Sequence, residues 1–340
     1  MPSGDMEMRS VRFTAHAMLT AWQWGPFPLL VVATLVAVAV WYLRADWKLA
    51  EKGRRWPAHR TASFLGGLVA VDLALQSPIA TFTQSYFQAH IMQHLLLMII
   101  APPLLALGAP STLLLQTARR DVKERWLAVL RSKPFAVLSH PITVWSLYFG
   151  AMFIFFMTSL INIAMQDMAL MDAINVLFFL GGTLYWWPMV GLDPIVHWKM
   201  GYGARMVNIL VGSVPETVMG VAILTQGAPI ASMYTLSSTH AGGGLLWSST
   251  ELATFIGFIP IFLQWMRSDE RRAERDDLRA DRLAVAGGPS PSTLRHMSTT
   301  GASARRRLPT PASAWEQMWL ARTGSLPTDD ADPETHAGPG

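Results

Sequence analysis

Apolar blocks of 17 to 23 residues, all but one without a Lys or Arg, recur along this chain, and they constrain its fold more than any other feature. A helix rises 1.5 Å per residue, so about 20 apolar residues cross the hydrocarbon core of a bilayer. Seven blocks qualify, at 27–43, 61–80, 86–108, 141–160, 173–191, 205–225 and 244–266. Only helices or closed barrels satisfy their own backbone in lipid, and blocks of this length are helical. The expected fold is therefore all-α: a polytopic membrane protein with a bundle of seven transmembrane helices. The first block ends in "WYLRADWK" with no small-residue cleavage pattern, so it is expected to remain as a membrane helix.

The charges assign an orientation. Lys and Arg number 2 before the first block, then 6, 0, 6, 0, 2 and 0 in successive loops, and 11 after the last block. Basic residues concentrate in cytoplasmic loops, which predicts the N-terminus outside and the C-terminus in the cytoplasm. The pI near 9.6 thus reflects topology and gives no nucleic-acid footprint. Three regions follow: an external segment at 1–26, the seven-helix domain at 27–266 and a cytoplasmic tail at 267–340. The loop at 117–134 is basic with a helical pattern and is expected to lie along the inner surface. The tail opens with mixed charges at helical spacing. Beyond about 287 it is rich in Pro, Ser, Thr and Gly, a composition that does not fold alone, with "WEQMWLA" (315–321) as one short docking element.

Ionisable residues inside apolar spans are costly and point to function. Asp72, His90, His94, Glu216 and Glu251 are the candidates, with His240 expected in the outer loop before the last span. His90 and His94 are four apart, so they share one helix face, and Met98 continues the stripe. Imidazole and thioether together suit Cu(I). From the outer end of the fourth block to the start of the fifth lie Met157, Met165, Met168, Met171, Asp167 and Asp172, with no Lys or Arg to repel a cation. The bland alternatives stay open. The histidines also suit hydrogen bonds between helices, methionine is an ordinary core filler, and Glu216 beside Pro215 is placed to serve backbone groups freed by a proline kink.

Several chemistries find no support. With no cysteine, disulfides and thiolate metal sites are excluded. In "HIMQH" Gln93 stands where a zinc protease needs a carboxylate base. No Lys lies in any span, so a retinal Schiff base has no attachment point. Phosphate loops and nucleophile elbows are absent, and the chain is not read as an enzyme.

Five segments in order, "GRRWPAHRTASFLGGL", "HIMQHLLLMIIAPPLLALGAP", "HPITVW", "FFLGGTLYWWPMVG" and "GGGLLW", resemble the CtaG family of bacterial cytochrome c oxidase assembly factors. The resemblance covers about residues 22–266 and is most specific at 90–110. It implies seven spans, a role in maturing the copper centres of haem–copper oxidases, and His90 and His94 as copper ligands. Cytochrome c oxidase subunits and a soluble copper chaperone on the outer side are the implied partners. This sequence departs from the family pattern at Ile91, at Met171 and Asn175 where many members carry a second His pair, and at Thr239–His240. Met171 and His240 then stand as further expected ligands beside Met98. The expected function is to bind and position Cu(I) transiently on the outer side. The alternatives are a non-metal structural partner of the oxidase, or a copper or proton transporter using Asp72, Glu216 and Glu251.

Overall fold

A computed structural model describes residues 20–285 apart from 195–197 and 199. His197, the segment up to residue 19 and the element at 315–321 lie outside the described residues. Among those described there is helix and no strand. Two compact units are distinguished, 1–265 and 266–340, and the second begins within the last helix.

The helices are α1 (Pro26–Glu51), α2 (Ala58–Leu75), α3 (Pro78–Phe82) and α4 (Phe87–Leu95). A π-helical turn (Leu96–Ile100) follows, then α5 (Ala101–Leu107), α6 (Pro110–Thr117), α7 (Arg120–Leu130) and α8 (Lys133–Leu138). The remainder are α9 (Pro141–Met157), α10 (Leu160–Gln166), α11 (Met168–Val190), α12 (Tyr202–Thr225) and α13 (Leu236–Val285). Six stretches are long and apolar enough to cross a membrane. Counting the bent pair α9–α10 as one further span gives seven, the number expected.

Starts and stops follow local chemistry. Proline opens α1, α3, α6 and α9, where a helix has no use for the missing amide. The Ser77 hydroxyl accepts from the Ile79 amide, and Asp167 Oδ1 accepts from Ala169 and Leu170, capping α3 and α11. The basic loop at 117–134 is helical as its pattern predicted, in α7 and part of α8.

Two expectations are corrected. The segment after the fourth block, expected as an outer loop, contains the short helix α10, which leaves α9 at 78°. The last helix begins at Leu236, with Thr235 Oγ1 accepting from the Ser238 amide, so His240 lies inside a helix rather than in a loop. Gly242, Gly243 and Gly244 lie within this helix, where small residues mark close packing in a membrane.

The span α4–π–α5 is the centre of the bundle. Phe87, Ile91, Leu95 and Met98 pack with Phe155 and Phe156 of α9, Phe178 and Tyr185 of α11 and Met219 of α12 in one apolar cluster. At Gly182 of α11 an added Cβ would stand 2.9 Å from the Met98 backbone, so only glycine lets these spans approach so closely.

Candidate metal centre

His90 and His94 come from an unbroken α-helical turn, so the four-residue spacing does place them on one face. Both are almost completely buried, at 3% and 2% exposure. Aromatic rings surround them. His90 stacks on Phe155 (5.5 Å between centroids) and lies near Phe87 (6.2 Å). His94 meets the ring of Phe178 at 4.9 Å, and both imidazoles meet Phe156 edge-on, at 5.9 and 5.5 Å.

The hydrogen bonds of the two rings differ. Tyr234 Oη lies 3.3 Å from His90 Nδ1, 2.7 Å from the Thr83 carbonyl and 3.6 Å from Met165 Sδ. A phenol has one proton. Tyr234 lies in the loop between α12 and α13, and burial pushes its phenol well above the usual range, so the proton is retained. The shortest contact, to Thr83, takes that proton. His90 must then donate from Nδ1, which in a neutral imidazole leaves the Nε2 lone pair for a ligand. His94 has neither arrangement: both of its ring nitrogens are buried without a hydrogen-bond partner. An unsatisfied buried polar group costs on the order of 1–3 kcal/mol, which a ligand would offset.

The other expected ligands are distributed unevenly. Met98 falls in the π turn and is 1% exposed; Met171 is 8% exposed; both belong to the cluster that contains Phe156 and Phe178. The π turn precedes Pro102, which supplies no amide to the Met98 carbonyl, and Trp186 Nε1 donates there instead at 2.9 Å. His240 is half-buried, and its Nε2 lies 2.9 Å from the Gln226 carbonyl oxygen. Among the described residues no three His, Cys, Asp or Glu side chains converge as a metal group. A site on the pair thus needs thioether help. Sequence reasoning noted Met165 only as one of several loop methionines and missed Tyr234. The bend between α9 and α10 brings Met165 to Tyr234, and no local pattern signals that.

The carboxylates have structural partners. Thr250 Oγ1 donates to Glu216 Oε2 at 3.0 Å. Thr217 Oγ1 donates to Glu251 Oε1 at 2.9 Å. Adjacent residues of α12 and α13 thereby form two reciprocal rungs. Glu216 is bound to a side chain, where a role at the Pro215 kink was the expectation.

The sequence matches the family model of the cytochrome c oxidase caa3 assembly factor over residues 40–268, well over half the chain. It is 29% identical over 281 residues to an uncharacterised protein of Mycobacterium leprae, and 28% identical over 287 residues to uncharacterised proteins of Mycobacterium bovis and Mycobacterium tuberculosis. These alignments take in 77% and 79% of this chain but 42% and 43% of those proteins. The chain therefore spans less than half the length of the curated relatives it matches. No solved structure matches it.

Proposed function

The chain belongs to the cytochrome c oxidase caa3 assembly factor family, and from that membership we propose that it binds and positions Cu(I) for maturation of an oxidase copper centre. The observation that carries the reading is the buried pair His90 and His94, one ring hydrogen-bonded through Nδ1 and the other with both nitrogens unpartnered. Cu(I) is cargo here, since a donor must release what it binds. Imidazole and thioether suit it, and Met98, Met165 and Met171 lie buried in the same core cluster. Exchange among two histidines and a changing thioether would let the ion move on. We place the site in the outer half of a bacterial plasma membrane, with cytochrome c oxidase subunits as acceptor and a soluble copper chaperone as donor.

The rungs Glu216–Thr250 and Thr217–Glu251 favour a second reading, a structural oxidase partner whose buried polar groups only join helices. A Cu(I) competition titration separates the two, run on the purified protein and on the His90→Ala/His94→Ala variant. The metal reading expects about one tightly held copper, lost in the variant. Equal weak binding by both would leave the structural reading.

A further inference from the structure

A cavity lies away from the histidines. It has a volume of about 400 Å³ and is lined by Ile99, Leu104, Leu107, Val190, Ile256 and Gln264 among others. That is within the size range of small-molecule sites. Proline recurs around it. Pro103 and Pro260 line the cavity, and Pro188 immediately precedes the lining residues Met189 and Val190. Each gives its helix no amide to donate.

The lining is aliphatic. The Trp186 indole N–H is already given to the Met98 carbonyl, which leaves Gln264 as the one polar side chain with hydrogen-bonding capacity to spare. The cavity opens to the membrane, since lining residues Ile100 and Ile256 are 41% and 62% exposed. From Ala253 to Gln264 it follows α13 for about 16 Å at 1.5 Å per residue, which is half of a hydrocarbon core about 30 Å thick. It is one leaflet deep.

Its Val190 and Gln264 end faces the basic loops, and a cation is stationed there. A Cβ built on Gly191, the residue after Val190, would stand 2.2 Å from Arg205 Nη2. Arg205 Nε donates to the Met200 carbonyl at 3.1 Å, and Arg205 enters no ion pair among the described residues. Its half-buried guanidinium lies 5.6 Å from the centroid of the Tyr202 ring, and among the described residues its terminal nitrogens have no hydrogen-bond partner, which suits a phosphate.

We infer that this cavity is a lipid site that takes one acyl chain of an anionic phospholipid, from the leaflet at the basic end of the bundle, with Arg205 on its phosphate. The test reconstitutes the full chain in nanodiscs of phosphatidylcholine with a minor share of phosphatidylglycerol. The protein is then extracted in mild detergent and its bound lipids counted by native mass spectrometry. Wild type should retain about one phosphatidylglycerol per chain. Ile256→Trp enlarges an exposed lining residue and should cut that retention at least fivefold. Arg205→Gln, outside the cavity, should keep one lipid but lose the preference for phosphatidylglycerol. Retention unchanged in both variants would overturn the site, leaving unspecific annular lipid. So would wild type recovered without lipid, or with phosphatidylcholine held equally well.

Discussion

His94 is 2% exposed with both ring nitrogens unpartnered, and so in the metal-free protein it carries a desolvation cost on the order of 1–3 kcal/mol. Leucine has a similar bulk and nothing to satisfy. His94→Leu is accordingly expected to leave the metal-free Tm unchanged or higher, while abolishing any rise in Tm on adding Cu(I). A Tm that drops sharply without copper would instead mean that the imidazole has an ordinary structural role. The pair itself was legible, because a four-residue spacing in an apolar span places two side chains on one face whatever the fold. Its surroundings were not. Tyr234 is 144 residues from His90 in sequence, and only the seating of the loop between α12 and α13 brings its hydroxyl to Nδ1.

Elements meet closely where glycine permits. A Cβ at Gly243 would stand 2.5 Å from the Leu224 amide nitrogen, and one at Gly220 would stand 2.8 Å from the Trp247 nitrogen, so α12 and α13 touch through backbone. At Gly244 the nearest neighbour is a leucine methyl at 3.8 Å. Gly243→Ala is thus expected to destabilise by about 1–3 kcal/mol through overpacking. Gly244→Ala should gain up to about 1 kcal/mol of helix propensity. Thermal unfolding in detergent compares the two, and equal Tm values would contradict the contact. The last apolar block starts at 244, eight residues after its helix, because 236–243 is mostly small or polar and hydropathy alone gives it no packing role. A second tie joins the segment after α11 to α6. Buried Asp193 accepts from the Ser111 and Thr112 amides at 3.2 and 2.7 Å and from the Thr112 hydroxyl at 2.7 Å. Burial nonetheless pushes its carboxyl above the ordinary aspartate value, outweighing these three donors. The folded state then binds the proton more tightly than the unfolded state, so this residue's contribution to stability is fullest at low pH. It declines as pH rises from about 4 through the raised value. Asp193→Asn should flatten that decline in an unfolding series from pH 4 to 7, and an unchanged slope would assign the effect elsewhere.

At the scale of the whole molecule, the number of spans was legible because lipid leaves a helix few alternatives, whereas the helix that follows the fourth span was not. In "FMTSLINIAMQDM" the polar Thr158 and Ser159 mark where α9 ends, but hydropathy does not register that a further helix leaves it at 78°. Orientation is a different inference, since it rests on where the bilayer's surroundings tolerate positive charge and not on any packing contact. If loops with 6, 6 and 2 basic residues face the cytoplasm, then the loops flanking His90 and the Gln226–Thr235 segment face outward, where copper would arrive. Absence of native cysteine makes this directly measurable. Gly227→Cys and Lys133→Cys each introduce one thiol at an exposed position, in loops expected on opposite sides. A membrane-impermeant maleimide should label position 227 in intact spheroplasts and position 133 only after lysis. The reverse pattern would invert the bundle and set the histidine pair in the cytoplasmic half. Labelling of both before lysis would show that the two loops share a side, which an odd number of spans between them does not allow.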